Sequence, residues 1–181
     1  MKRRTEYIFS INTGRSGSAY LKTLFDNVTD CQSLHEPMPV GNGAVMRKYS
    51  KGNSEPMRLI ARQKAEIAQN VARTGEIYFE SNHCFIKGFG WFLPELLGEE
   101  NIGVIILKRD KTEIAWSYLR IGCSPLIRKG RKWLYTPWQK NSKVAPPTLS
   151  FSARASYFAA CVVKFICWFA RRIFKIPLQD P

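Results

Sequence analysis

An apolar strand, a glycine-containing turn and a helix follow one another near the start of this chain, and this order constrains the fold most. Residues 7–11 read YIFSI, the turn contains Gly14 and Gly17, and apolar residues recur at helical spacing from residue 19. The glycines let successive backbone N–H groups point inward, and the following helix adds the positive end of its dipole. Arg15 adds full charge, and Ser18 can cap the helix. The segment predicts a site for a phosphate-like anion, although taken alone it also fits an ordinary strand-to-helix loop.

A second motif lies in the second half of the chain. Residues 103–107 read GVIIL, which is typical of a fully buried parallel strand. Asp110, with Glu113 three residues later, predicts a capping box at the start of a helix. Ser117 lies one turn beyond Glu113 on the same helix face, so Ser117 and Arg109 at the strand end can converge on one ligand group. Taken singly, Arg109 and Ser117 are ordinary surface residues.

Together the two segments resemble the sulfotransferases that use 3′-phosphoadenosine 5′-phosphosulfate (PAPS), with residues closer to the carbohydrate and bacterial branches than to the small-phenol branch. Residues 15–21, RSGSAYL, are similar to the family's 5′-phosphosulfate-binding motif, (R/K)-S-G-(S/T)-x-(F/W/Y)-L. Arg109 and Ser117, eight residues apart, are similar to its 3′-phosphate-binding motif. The resemblance covers residues 6 to about 121.

The resemblance implies a three-layer α/β fold of the P-loop type, with a mostly parallel sheet, helices on both faces and PAPS as the sulfuryl donor. The residues implied for the donor site are Thr13, Gly14, Arg15, Ser16, Gly17, Ser18, Ala19, Tyr20, Arg109 and Ser117. Sulfuryl transfer depends on positioning and on stabilising the bridging oxygen that leaves, which Arg15 can do as a catalytic residue. The loop N–H groups and Ser18 would hold the 5′-phosphate. No metal ion is required, and the two histidines and five cysteines form no spaced cluster.

An acceptor hydroxyl needs a base, and three candidates lie where predicted strands end. Glu80 ends the strand at residues 76–80, and the segment FESNHCF is similar to the family segment in which a glutamate after this strand is the base. Glu36 follows the preceding strand, at a position that other members use. His83 is the third candidate, because imidazole takes up a proton near neutral pH. Each also fits a structural role, and the sequence leaves the choice open.

Length and composition predict one compact domain, since 181 residues of which 45% are hydrophobic can bury a core. Strands alternate with helices, which predicts a parallel sheet covered on both faces. The predicted strands lie near residues 6–11, 31–35, 76–80 and 102–108, and the helices near 18–27, 55–73, 91–97, 110–121 and 153–174. The single domain, residues 1–181, divides into a nucleotide-binding core at 6–121, an irregular basic and aromatic segment at 122–150, and a C-terminal helix at 153–175.

Charge limits the partners, because 28 Lys and Arg against 14 Asp and Glu give a net charge of +14 that attracts anions. The donor is itself an anion, and an anionic glycan fits as the acceptor. The C-terminal helix is apolar over about 14 residues around Lys164, short of the roughly 20 that a bilayer requires, so membrane association is not favoured. Residues 1–6 lead directly into a strand without an apolar export signal, which predicts a cytoplasmic protein with reduced cysteines.

Two other classes of protein share parts of this pattern. A P-loop nucleotide kinase uses G-x-x-x-x-G-K-[ST], whereas here two residues separate Gly14 from Gly17 and no lysine follows. A non-enzymatic basic module for polyanions or nucleic acid fits the net charge but gives no reason for Arg109 and Ser117 at their spacing, so nucleic acid is not the expected ligand. Family domains are usually longer than this chain, which fits a short or truncated member.

Overall fold

A computed structural model describes residues 5–123, where four strands alternate with five α-helices. The strands are β1 (Tyr7–Ile11), β2 (Cys31–His35), β3 (Ile77–Ser81) and β4 (Ile102–Ile106). The helices are α1 (Ser18–Phe25), α2 (Ala44–Ser50), α3 (Glu55–Arg73), α4 (Leu93–Leu97) and α5 (Lys111–Arg120), with short 3₁₀ helices at Phe89–Phe92 and Glu99–Asn101. α3 has the predicted ends, and the other elements predicted in this part of the chain end within a few residues of their observed bounds.

The four strands form one parallel sheet in the order β2-β3-β1-β4. β1 lies between β3 and β4, with Phe9 in register with Glu80 and Val104. Because all four strands run in the same direction, their carboxyl ends meet at one edge, which is where open parallel sheets bind ligands. The predicted α/β fold with a parallel sheet is confirmed, and the loops after β1, β2 and β3 bring predicted site residues to this edge.

Helices cover both faces of the sheet. Phe79 and Glu80 are neighbours in β3 and therefore point to opposite faces. Phe25, the last residue of α1, stacks on Phe79 with ring centroids 3.9 Å apart. Lys64 of α3 donates to Glu80 on the other face. The described residues thus form three layers, with α1 on one side of the sheet and α3 on the other.

The larger core lies between the sheet and α3. The buried positions of α3 recur at helical spacing and are Met57, Ala61, Lys64, Ala65, Ala68 and Val71. Phe9 and Tyr78 of the sheet pack into this layer with Phe85 and Phe89 from the segment after β3. Phe9 stacks on Phe85 with ring centroids 4.9 Å apart. Phe85 and Phe89 thus anchor the segment after β3 in this core.

Two features of the fold depart from the sequence prediction. The prediction that the strand near residues 103–107 is fully buried is wrong, since Val104 and Ile106 are 47% and 62% exposed. Within residues 5–123, β4 is the outer strand beside β1, and α3 lies mainly over β3. α2 is an element that the sequence does not predict. It has seven residues and no side-chain cap, and Tyr49 packs it against Phe92 through a tertiary contact.

The rest of the predicted organisation lies outside the described residues. This holds for the irregular segment at 122–150 beyond Cys123 and for the C-terminal helix at 153–175, so the single domain of residues 1–181 stays a prediction. Among the helices of residues 5–123, none combines the length and apolar character needed to cross a bilayer.

Candidate active site

The loop between β1 and α1 turns through residues of positive φ. Gly14, Arg15 and Gly17 have φ of 68°, 57° and 96°, a region that glycine enters freely and arginine rarely. Gly17 precedes α1 and Ser18 is its first residue, without a capping hydrogen bond, so the prediction that Ser18 caps the helix is wrong. Within the described part of the chain, the N–H groups of residues 15–17 bond no backbone or side-chain acceptor. Those of the first turn of α1 have no helical partner either, so the loop presents a set of anion-binding donors.

Asn12 holds the loop in this shape and is a site residue that neither motif includes. It is 2% exposed, and its side-chain oxygen accepts a hydrogen bond from the Gly14 N–H at 3.1 Å. Its side-chain nitrogen donates to Ser10 Oγ at 2.8 Å, and Ser10 donates to Ser81 Oγ at 3.1 Å. An asparagine two residues before a glycine is typical of such a turn, and this signal identifies Asn12 in retrospect.

Ser16 is the residue of the loop that points most directly to a ligand. Its side chain is buried, with 6% of the residue exposed, and its Oγ has no hydrogen-bond partner among the described residues. Leaving a buried hydroxyl unpaired costs about 1–3 kcal/mol, so such atoms are uncommon in folded proteins. An anion oxygen seated in the loop would accept this missing hydrogen bond.

The two sequence motifs meet in space. Arg15 Nε donates to Ser117 Oγ at 2.9 Å, across 102 positions of sequence. Arg109 donates through its guanidinium to the Arg15 carbonyl oxygen at 3.1 Å. A second guanidinium nitrogen of Arg109 pairs with Glu113 Oε2 at 2.8 Å. The side chains predicted to bind the two phosphates therefore lie on one surface, where they currently bond each other.

Asp110 begins α5 as predicted. Its Oδ1 accepts hydrogen bonds from the backbone N–H groups of Thr112 and Glu113 at 2.9 Å and 3.0 Å. These bonds favour the ionised carboxylate and lower the pKa of Asp110. The predicted capping box is only half formed, because the Glu113 side chain pairs with Arg109 instead. Asp110 thus fixes the start of the helix that carries Ser117.

Tyr118 ties α5 to the loop between β1 and α1 (residues 12–17, here called the anion loop) and is a second residue outside the motifs. Its hydroxyl donates to the Thr13 carbonyl oxygen at 2.5 Å. The contact is so close that a Cβ added to Gly14 would lie 2.7 Å from the Tyr118 oxygen. Position 14 therefore requires glycine for two reasons, which are its positive φ and the close approach of Tyr118.

Replacing Gly14 with alanine is expected to destabilise the protein more than replacing Gly52. Both glycines have positive φ, which costs an alanine about 1–2 kcal/mol. Gly52 has open space where its Cβ would lie, whereas Gly14 has Tyr118. Relieving this conflict requires the Tyr118 hydroxyl to move away from the Thr13 carbonyl oxygen, and the lost hydrogen bond adds about 1 kcal/mol to Gly14→Ala alone. Urea unfolding of the two variants measures this difference, and equal losses would contradict the close approach.

Glu36 and His83 form a hydrogen-bonded pair beside the anion loop. His83 Nδ1 lies 2.5 Å from Glu36 Oε1, and the Glu36 and His83 side chains are 30% and 8% exposed. The Cβ position of Gly14 lies 3.7 Å from His83 Cβ, so the pair adjoins the loop directly. Two of the three predicted bases are thus hydrogen-bonded to each other, and Glu36 is the more exposed of the two.

The protonation of this pair follows from its neighbours. Burial raises the pKa of the Cys84 thiol to about 12, so Cys84 stays protonated and can donate to His83 Nε2 at 3.5 Å. An ionised carboxylate can only accept a hydrogen bond, so the bond to Glu36 requires a proton on His83 Nδ1. This hydrogen bond is the main cause that lowers the pKa of Glu36. Glu36 is therefore a carboxylate at neutral pH, able to accept a proton from a bound acceptor.

Glu80 lies beneath the site. It is 0% exposed, with Oε1 bonded by Lys64 Nζ at 2.7 Å and by Asn82 Nδ2 at 2.8 Å. The Tyr78 hydroxyl donates to the other oxygen, Oε2, at 2.6 Å. No Glu80 oxygen reaches the surface, so this carboxylate cannot meet an acceptor hydroxyl in the observed arrangement. Of the three bases that the sequence predicts, Glu36 and His83 therefore remain as candidates.

Comparisons with known proteins add no relative to this geometry. No protein-family model matches the chain, and neither a curated protein nor a solved structure does so. Within residues 5–123, no group of three or more His, Cys, Asp and Glu side chains is arranged to hold a metal ion. The function is therefore inferred from the residues and contacts described above.

Proposed function

We propose that the protein is a PAPS-dependent sulfotransferase with a P-loop-like fold, which transfers a sulfuryl group to a hydroxyl or amine of an acceptor, with carbohydrate as the favoured class. One observation carries the proposal. The anion loop, the Arg109–Ser117 motif and the Glu36–His83 pair adjoin one another at the carboxyl edge of the sheet. These are the three parts that sulfuryl transfer needs, namely a phosphate cradle, a second phosphate site and a base.

The donor occupies the groove by replacing bonds that the protein makes with itself. The 5′-phosphate accepts from the loop N–H groups and from the orphaned Ser16 hydroxyl. The 3′-phosphate accepts from Arg109 and Ser117, which exchange their bonds to Glu113 and Arg15 for the anion. Arg15 is thereby released from Ser117 toward the sulfate end of the donor. The net charge of +14 favours this approach of an anion and of an anionic acceptor.

The transfer step then follows from the charges at the edge. Glu36 accepts the proton of the acceptor hydroxyl, and the acceptor oxygen attacks sulfur. The bond between sulfur and the bridging phosphate oxygen breaks, and its electron pair stays on that oxygen, which leaves as part of adenosine 3′,5′-bisphosphate. Arg15 stabilises the charge that develops on the leaving oxygen. His83 holds Glu36 in the ionised form through its Nδ1–H.

Calorimetry with adenosine 3′,5′-bisphosphate tests the donor site through Arg109→Ala. Losing a charge-assisted contact to the 3′-phosphate is expected to cost about 2 kcal/mol, or roughly 30-fold in affinity. Arg120→Ala is the matched control, because Arg120 is an exposed arginine at the other end of α5. We expect that variant to bind within about 2-fold of the wild type.

Three results would contradict the proposal. If Arg109→Ala and Arg120→Ala bind the nucleotide equally well, the 3′-phosphate site is wrong. Tighter binding of random oligonucleotides than of adenosine 3′,5′-bisphosphate would favour a basic polyanion module. Magnesium-dependent hydrolysis of ATP would favour a P-loop nucleotide kinase.

A further inference from the structure

A buried ion pair is hydrogen-bonded to the residues next to Glu36 and His83. Lys64 and Glu80 are both 0% exposed, with Nζ 2.7 Å from Oε1. Lys64 Nζ also donates to the Pro37 carbonyl oxygen at 2.6 Å and lies 5.5 Å from the centre of the Phe89 ring. Burying two charges costs several kcal/mol per ion before pairing, and apolar residues of similar size are often as stable. Stability alone therefore gives no reason for an ion pair at this position in the core.

Hydrogen bonds connect the Lys64–Glu80 pair to the segments that carry Glu36 and His83. There are two such connections, here called arms. The first arm is the Lys64 bond to Pro37, the residue immediately after Glu36. The second arm runs from Glu80 to Asn82, whose side-chain oxygen accepts from the Cys84 N–H at 2.8 Å. Asn82 and Cys84 are the two neighbours of His83 in the chain. One ion pair thus holds the backbone next to Glu36 and on both sides of His83.

Glu36 needs such support because its backbone is strained. Its φ is 47°, in the left-handed region that residues other than glycine seldom adopt. Strain of this kind costs about 1–3 kcal/mol and persists only where the surroundings hold the residue in place. The Glu36 N–H donates to the Ser81 carbonyl oxygen at 2.9 Å, and Lys64 holds the following carbonyl. Bonds on both sides of the residue therefore maintain the conformation that points Glu36 toward His83.

We infer that the Lys64–Glu80 pair is a positioning device that sets the hydrogen bond between Glu36 and His83. Neither residue touches a substrate, so both act through the loops that they hold. The inference rests on the proposed function only in treating Glu36 as the base. Its direct consequence, a fixed imidazole N–H bonded to a carboxylate, is measurable without turnover.

Proton NMR of the His83 ring N–H provides the test. A hydrogen bond to a carboxylate shifts the ring N–H signal downfield and slows its exchange, and the chain has only two histidines, so His35→Gln completes the assignment. The first variant is Lys64→Met with Glu80→Gln, which removes the pair without leaving a buried charge. Asn82→Ala is a second variant, which cuts only the arm to His83. Both are expected to lose the signal or move it upfield.

Two controls separate positioning from general loss of stability. Tyr78→Phe removes a hydroxyl bonded to Glu80 Oε2 and leaves both arms intact. Ala68→Gly weakens α3 at a buried position that the network does not use. Both are expected to keep the wild-type signal. A folded Lys64→Met/Glu80→Gln protein with an unchanged signal would overturn the inference, and where that variant does not fold, an unchanged signal in Asn82→Ala would overturn it.

Turnover distinguishes this inference from the proposed function. With PAPS as donor, kcat of the double variant is expected to fall roughly 10–100-fold while KM for PAPS stays within about 3-fold. Wild-type protein that binds no adenosine 3′,5′-bisphosphate would reject the proposed function and leave the spectral result standing. A wild-type protein that turns over, with a double variant of equal kcat, would reject positioning and leave the function standing.

Discussion

Glu36→Gln is expected to lower turnover by roughly 10²–10⁴-fold, the range typical of losing a general base. Glutamine keeps the size of the side chain and can still accept a hydrogen bond from His83, but it cannot take the proton of the acceptor. Affinity for adenosine 3′,5′-bisphosphate should stay within about 2-fold, because Glu36 is no part of either phosphate site. Single-turnover kinetics and calorimetry measure the two quantities separately.

Glu66→Gln is the control for this substitution. Glu66 is exposed on α3, and its replacement removes one negative charge without touching the carboxyl edge. Its kcat should equal that of the wild type. Wild-type turnover in Glu36→Gln would instead show that Glu36 is no base and leave His83 as the remaining candidate.

The pH dependence of stability reports on the Glu36 carboxylate. The pKa of Glu36 is lowered from 4.5 in the folded protein, mainly by the His83 hydrogen bond. Because the folded pKa is the lower one, the stabilisation is present above pH 4.5 and is lost as the pH falls through the folded value. The difference in unfolding free energy between wild type and Glu36→Gln should therefore shrink on acidification below pH 4.5. Urea unfolding at neutral and acidic pH measures it, and a constant difference would contradict the assigned bond.

Lys64→Met alone is expected to destabilise the protein by about 3–5 kcal/mol, because it leaves the Glu80 carboxylate buried without its counter-charge. Tyr78 and Asn82 still bond the carboxylate, but neither carries positive charge. Adding Glu80→Gln removes the uncompensated charge, and most of the lost stability should return. Thermal and urea denaturation followed by circular dichroism measure both variants.

Lys22→Met is a matched control for the effect of burial. Lys22 and Asp26 form an ion pair of the same length, 2.7 Å, but their side chains are 36% and 39% exposed. Exposed pairs of this spacing on a helix contribute about 0.5 kcal/mol or less. Similar losses in Lys22→Met and Lys64→Met would mean that the buried pair is not the source of the larger effect.

Patterns among neighbouring residues predict much of the local structure of residues 5–123. The periodicity of residues 55–73 yields α3 with its observed ends, and the glycines at positions 14 and 17 mark a turn that does adopt positive φ. Asp110 caps α5 as its spacing from Glu113 indicates. Each of these signals depends on neighbours within a few residues, where helix geometry and allowed φ values leave few alternatives.

The misjudged features depend on contacts between distant parts of the chain. Nothing in residues 103–107 shows that Val104 and Ile106 stay exposed, because their burial depends on which helix lies over β4. Glu80 resembles a base in its sequence context, yet Lys64 from α3 makes it a buried ion-pair partner. α2 has no side-chain cap, and its buried residue Tyr49 contacts Phe92, which lies more than 40 positions away in the chain.

The amino-acid sequence by itself determined the order of the strands and of every described helix except α2, the glycine-containing loop between β1 and α1, and the candidates for the site. Only the tertiary structure decided that Glu36 meets His83 across 47 positions and that Arg15 meets Ser117 across 102. The physical reason is that a parallel sheet brings the ends of separate strands to one edge, and the order β2-β3-β1-β4 selects which ends become neighbours.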